Sequence, residues 1–444
     1  MLTADTELTE PRLQDADDIA VGAAPRRFRI PAIWLSIVDQ CLVSGVNFLT
    51  MILLGRFCGL HELGIYSLAF TAVVVLMSLQ ESLLIAPFTV MMHRLRCPAR
   101  RLAYSGATFR QQVLVTALAF MGVLVVWEVG WRFGPTGERS AAVGALVLVT
   151  PLWLLKDFAR RACYAILDST GPLYIDGASA AAQTAALAAL VASGHLSAAT
   201  ALAAAGVGHA AAIVVWLFVR RPALTSTVRI SRLALNLNWR LGSWSCAGRC
   251  AEMLQRYSLH WLLAAVSGPA ATGVYAAAGA MLALANPVLM GIGNLLAPES
   301  AQAYGSGGIA SLRKTVTRTT MQVTLITLVI VVFVIVFSRQ LLQLTFGEVE
   351  PGQVSVIIIL AIGMLIGMAT FGVENGLRAL ARPGDNFKAC LAGWAVSLLI
   401  AGLLVSRWHA PGAACGALAG NLTASLMRTG LFLRLLKNRS RSTA

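Results

Sequence analysis

Twelve runs of about 20 apolar residues recur along this 444-residue chain, and each is long enough to cross a bilayer hydrocarbon core of about 30 Å as a helix. They lie at about 31 to 55, 64 to 92, 111 to 131, 141 to 157, 173 to 193, 199 to 219, 243 to 266, 273 to 299, 319 to 337, 353 to 377, 389 to 406 and 411 to 433. The runs are continuous and rich in Ala, Leu and Val, without the roughly ten-residue alternation of outer-membrane strands. In hydrocarbon every backbone N–H and C=O must find a partner, and a helix satisfies its own. The expected fold class is therefore an all-α integral membrane protein with about twelve transmembrane helices. Only 12% of the residues are charged, which argues against a soluble domain.

Landmarks also repeat. Gly59, Gly64, Ile65, Tyr66 and Ala69 recur as Gly268, Gly273, Val274, Tyr275 and Ala278, and Ala86-Pro87 recurs as Ala297-Pro298. Each half holds six runs, an even number, so the copies share one orientation in the membrane and form parallel repeats. The expected organisation is a disordered cytoplasmic N-tail (1–30), a first six-helix lobe (31–219), a basic cytoplasmic linker (220–242), a second six-helix lobe (243–433) and a basic cytoplasmic C-tail (434–444). Such symmetry suggests a substrate path between the halves. The linker carries Arg220, Arg221, Arg229, Arg232 and Arg240 among Leu, Ile and Trp, and reads as an amphipathic stretch on the inner surface that lets the lobes rock. The longest outer loop runs from Ser338 to Gly352 and leaves no room for an outer catalytic domain. No Walker motif, no GxGxxG after a strand and no HExxH occurs, so neither an enzyme nor a cofactor is expected. Eight Cys with no paired outer-loop framework read as small buried hydrophobes.

A net charge of +15 can signal nucleic acid, but the positions of the cations argue otherwise. With the N-terminus taken as cytoplasmic, 27 of the 35 Lys and Arg fall in inner segments and five in outer loops, Arg56, Arg132, Arg139, Arg339 and Arg407. That asymmetry puts both termini in the cytoplasm. The basic inner loops then lie near anionic lipid headgroups, and nucleic acid is not an expected partner.

Ionisable residues inside spanning helices are functional candidates by default. The seventh run carries Arg249, Glu252, Arg256 and His260 at i, i+3, i+7 and i+11, all on one helical face. One reading is an internal Glu252 to Arg256 pair with Arg249 reaching the inner surface. The other is a cationic wall of a central cavity, two Arg against one Glu, suited to phosphate. In the first half, Asp39 and Asn47 share a face of the first run and Glu81 lies deep in the second. Asp39 and Glu81 are candidates for binding a coupling ion, or each pairs with an Arg of a neighbouring helix. Lys156 and Asp157, at the inner end of the fourth run, read as a surface ion pair.

Asp39-Gln40, Ser44, Asn47-Phe48, Leu54-Gly55-Arg56 and Gly59 through Gly64-Ile65-Tyr66-Ser67-Leu68-Ala69-Phe70 resemble the opening of polysaccharide flippases in the multidrug/oligosaccharidyl-lipid/polysaccharide (MOP) exporter superfamily. Leu341-Leu342 to Phe346-Gly347 and Leu377-Arg378-Ala379-Leu380-Ala381-Arg382-Pro383 also resemble that family. The resemblance implies a MATE-like, V-shaped transporter in a bacterial inner membrane that alternates between inward and outward openings. Its cargo would be a polyprenyl-diphosphate-linked oligosaccharide for exopolysaccharide, capsule or O-antigen assembly, with polysaccharide polymerase or assembly proteins as partners. Arg249 and Arg256 would then bind the diphosphate beside Glu252. Asn47, Gln255 and His260 would offer hydrogen bonds to sugar, and Asp39 or Glu81 would couple transport to an H⁺ or Na⁺ gradient. The rivals are a cation-coupled drug or metabolite antiporter and a non-transporting scaffold of a glycan assembly complex.

Overall fold

The computed structural model describes residues 30–442 except 96, 134–137, 167, 169, 220–227, 348, 351 and 381, so the N-tail up to residue 29 and the first part of the linker lie outside the described residues. All regular structure among the described residues is helical. The first half comprises α1 (Ile30–Phe57), α2 (Gly59–Gln80), a π-helical turn (Glu81–Ile85), α3 (Ala86–Arg94), α4 (Pro98–Phe133), α5 (Glu138–Ala165), α6 (Gly171–Ala192) and α7 (Ala198–Val219). The second comprises α8 (Val228–Ala283), α9 (Asn286–Val336), α10 (Ser338–Phe346), α11 (Gln353–Met368), α12 (Phe371–Ala379) and α13 (Pro383–Ser442). α2, the π turn and α3 follow one another without a break as one crossing.

Ten described segments are long and apolar enough to cross a membrane, and two of these double back on themselves, which yields the twelve crossings expected. α8 reverses at Gly268, whose φ of 82° suits glycine, and His260 before the turn meets Tyr275 after it with ring centroids 4.9 Å apart. α13 reverses at His409, the non-glycine residue with positive φ among the described residues (49°). There Gly412, Gly416 and Gly420 on the returning leg lie against Leu404, Ala401 and Ser397 on the outgoing leg. Small residues at these points let two backbones approach, which in lipid replaces the hydrophobic drive that water supplies elsewhere. The two reversals touch, His409 Nδ1 standing 3.0 Å from Ser267 Oγ.

The repeated glycines meet each other. A Cβ on Gly64 would lie 1.9 Å from the carbonyl oxygen of Pro269, and one on Gly273 would lie 1.8 Å from that of Leu60. Adding the repeat offset to Leu60 and Gly64 gives Pro269 and Gly273, so the two close contacts are copies of one another. α2 and the second leg of α8 therefore cross at a local pseudo-twofold axis, and glycine occupies both motif positions because backbone touches backbone there. One core cluster crosses this contact, joining Leu63, Tyr66 and Val73 of α2 with Leu259, Leu263, Tyr275 and Met281 of α8.

Three expectations change in detail. From Val228 the linker is helical and runs directly into the seventh crossing as the start of α8. This stretch packs on the first half: Asn238 accepts a hydrogen bond from Tyr104 Oη (2.5 Å) and donates one to Gln111 Oε1 (2.7 Å). The C-tail continues α13 as helix to Ser442, its Leu, Lys and Arg all being good helix formers. The segment from Ser338, expected as an outer loop, is largely the short helix α10, and Arg56 of α1 donates to its Leu344 carbonyl at 3.0 Å.

Candidate functional site

The C-terminal third of α5 organises two ionic clusters on two adjacent faces. Lys156, Arg160 and Tyr164 stand at i, i+4 and i+8, one face of the helix, and point toward α1 and α6. Asp157 and Arg161, one residue on, face the π turn of the second crossing.

The first cluster is buried. Arg160 Nη2 contacts Asp39 Oδ2 of α1 at 2.7 Å, and its Nε contacts Asp176 Oδ2 of α6 at 2.5 Å. Lys156 pairs with the other oxygen of Asp176. Tyr164 Oη donates to Asp39 Oδ2 at 2.7 Å, and the Arg160 guanidinium also lies 5.6 Å from the Tyr164 ring centroid. Asp39 and Asp176 are each 1% exposed, so two carboxylates stand against two cations with almost no water to share the charge. Asp39 thus pairs with an Arg from a neighbouring helix, and the Lys156 and Asp157 reading is corrected. Both are buried, and each has a partner other than the other.

The second cluster joins the halves. Glu81 is the first residue of the π turn, where a widened helical turn changes the direction in which its side chain leaves the backbone. Arg161 Nη1 reaches Glu81 Oε1 at 2.9 Å from within the first half, and Arg249 Nη2 reaches the same oxygen at 3.3 Å from α8. The chain extends at both ends. Arg161 Nε holds Asp157 at 2.9 Å, Arg249 Nη1 holds Glu252 at 3.1 Å, and Arg256 Nη2 stands 3.5 Å from the other oxygen of Glu252. Gly242 of α8 packs beside it, where a Cβ would meet the Ser82 carbonyl oxygen at 2.5 Å.

Arg249, Glu252 and Arg256 do share a face, but their charge is not left over. With Glu81, Asp157 and Arg161 included, three cations meet three carboxylates and the cluster is balanced at full ionisation. Exposure differs along it, the side chain of Arg161 being 28% exposed, Arg249 37% and Arg256 59%. Arg256, with one long contact, is the cation most open to an incoming anion.

The other sequence candidates lie elsewhere. His260 sits between Tyr257 and Tyr275, and its Nδ1 is buried without a hydrogen bond. Gln255 is half-buried against Gly393 of α13. Asn47, half-buried on α1, bonds to neither cluster. Arg160, Arg161 and Tyr164 were not singled out from sequence, although Lys156, Arg160 and Tyr164 at four-residue spacing carry a helical signal just past an apolar run. In the second half Arg428, an intramembrane cation, donates to Asn386 Oδ1 at 2.8 Å and lies 3.7 Å from Glu374.

No protein-family model and no curated protein matches this chain. Among solved structures it is similar to the inward-facing conformation of a multidrug resistance MATE family transporter of the MOP superfamily. That match has a TM-score of 0.78 at 15% identity, over 91% of this chain and 96% of that one. The outward-facing conformation of a multidrug resistance MATE family transporter matches with a TM-score of 0.65 at 13% identity, over 92% and 95%. A MOP superfamily transporter from Pyrococcus furiosus, described as having a binding pocket of reverse polarity, matches with a TM-score of 0.66 at 13% identity, over 91% and 94%. The chain is therefore an all-α, multi-pass membrane protein with the fold of the MATE family transporters of the MOP superfamily.

Proposed function

We propose that this protein is an alternating-access flippase that moves a polyprenyl-diphosphate-linked oligosaccharide across the bacterial inner membrane, with lobes 31–219 and 243–433 rocking about the Gly64 and Gly273 contact. The observation that carries the reading is the Glu81 bridge, in which one carboxylate holds Arg161 of its own half and Arg249 of the other. A diphosphate presents several anionic oxygens to the planar forks of Arg249 and Arg256 and competes with Glu81 and Glu252 for them. Loading the cargo would thereby release the link between the halves. The bridge ties conformation to occupancy, which is what a carrier requires. Asp39, joined to Asp176 through Arg160, would take the coupling H⁺ or Na⁺, with Glu81 as the second ion-coupling group. Asn47, Gln255 and His260 would meet the sugar, Gln255 and His260 only after rearrangement, since these two now lie against Gly393 and between Tyr257 and Tyr275.

A second reading, a cation-coupled drug or metabolite antiporter, is favoured by the multidrug resistance MATE structures that the fold resembles. Under it, Asp39 and Glu81 would be the cation site and Arg249 and Arg256 structural. Mass spectrometry of polyprenyl-linked lipids in a deletion strain separates the two. The flippase reading expects one lipid-linked oligosaccharide to accumulate, and to accumulate again when the strain is complemented with Arg256→Ala at normal membrane levels. An unchanged lipid profile together with increased drug sensitivity would refute it. Translocation by the purified protein in vesicles would exclude a scaffold, which moves nothing alone.

A further inference from the structure

Immediately after the break in α9 at Gly307 and Gly308 lies a shallow, open basic patch along one helix face that the central site does not use. It is lined by Ala310, Arg313, Lys314, Thr317 and Arg318. All five are exposed, and among the described residues none of the three cations pairs with a carboxylate. Three unneutralised charges within two helical turns repel one another, and an external anion between them relieves that repulsion. The same face continues into hydrocarbon. Lys314, Arg318, Met321, Leu325 and Val329 follow at steps of four and three residues, and the last three are 68%, 62% and 65% exposed. From Met321 to Val329 the helix rises about 12 Å, close to the depth of one leaflet of a core about 30 Å thick.

We propose that this open patch binds the phosphate headgroup of an anionic glycerophospholipid, with Arg313, Lys314 and Arg318 on the phosphate, Thr317 Oγ1 donating to it and an acyl chain lying along Met321, Leu325 and Val329. A soluble anion would match the cations but leave the adjoining apolar stripe unused. A zwitterionic lipid would match the stripe but bring its own cation to a basic site.

Native mass spectrometry of the full-length protein in detergent, titrated with phosphatidylglycerol and with phosphatidylethanolamine of the same chains, tests this. The wild type should prefer phosphatidylglycerol. The triple variant Arg313→Gln, Lys314→Gln, Arg318→Gln should bind it on the order of 100-fold more weakly, at about fivefold per cation. Arg100→Gln, Arg101→Gln, Arg110→Gln removes equal charge from exposed positions on α4 and should retain binding. Thr317→Trp keeps every charge but covers the patch between the cations, and it too should lose binding, which covers the case in which the triple variant fails to fold. Equal loss in both triple variants would reduce the effect to diffuse surface charge and overturn the site. So would equal binding of the two lipids, or displacement of phosphatidylglycerol by millimolar glycerol phosphate, which would mark a soluble-anion site.

Discussion

Replacing Gly64 with Ala puts a methyl carbon 1.9 Å from the Pro269 carbonyl oxygen, 2.7 Å from its carbon and 3.0 Å from the Gly273 nitrogen. An ordinary contact needs about 3.4 Å, so α2 and the second leg of α8 must part by roughly 1.5 Å, and no side-chain rotation relieves a clash with backbone. Overpacking of this kind costs about 1 to 3 kcal/mol. Gly122→Ala, on the exposed face of α4 with nothing within 4 Å of the new carbon, is the matched control and should gain up to about 1 kcal/mol in helix propensity. The two variants should differ by about 3 kcal/mol, or on the order of 5 °C in unfolding midpoint in detergent micelles. Gly64→Ala, Gly273→Ala together should cost less than the sum of the singles, because one separation of the helices makes room for both methyls. If Gly64→Ala unfolds at or above the temperature of Gly122→Ala, the contact is not the close crossing described and the account of the repeat glycines fails.

Arg160→Met leaves Asp39 buried without its cation and Asp176 with Lys156 alone, which should cost about 3 to 5 kcal/mol and reduce the folded yield measured by fluorescence-detection gel filtration. Adding Asp39→Asn should recover part of that loss, and a double variant no better than the single would refute the pairing. Cys97 lies between α3 and α4, where backbone N–H groups at the start of α4 hold its thiol below the ordinary range, followed by the charge of Arg100. More thiolate is therefore present at a given pH below that range, and a membrane-impermeant maleimide should label Cys97 faster than an ordinary thiol. In inverted vesicles but not in spheroplasts, such labelling would verify cytoplasmic termini, and the reverse would invert the topology.

Much of the fold was readable because the bilayer imposes it. Runs of about 20 apolar residues are read as helices in lipid, and the repeat of Gly64 and Tyr66 as Gly273 and Tyr275 marked two similar halves, although not that these glycines meet. The site was less legible, for two reasons. Asp39 and Arg160 are 121 residues apart, and their pairing depends on how α1, α5 and α6 pack, which periodicity does not encode. Glu81 owes its reach to a π turn whose sequence, Glu-Ser-Leu-Leu-Ile, differs in nothing obvious from an ordinary helical turn. Reading the seventh crossing alone also made its face look cationic, since the compensating Glu81 and Asp157 sit on other helices.

The balance of the two ionic clusters has an electrical consequence. Moving one elementary charge through the membrane potential takes about 2.3 kcal/mol per 100 mV. Two cations against two carboxylates around Arg160 all belong to the first half and carry no net charge through that field. The cluster around Glu81 instead divides between the halves, with Asp157, Glu81 and Arg161 summing to one negative charge on the first and Arg249, Glu252 and Arg256 to one positive charge on the second. The return stroke of the empty protein would then respond to voltage through the Glu81 cluster alone, to the extent that the two halves shift in opposite directions along the field.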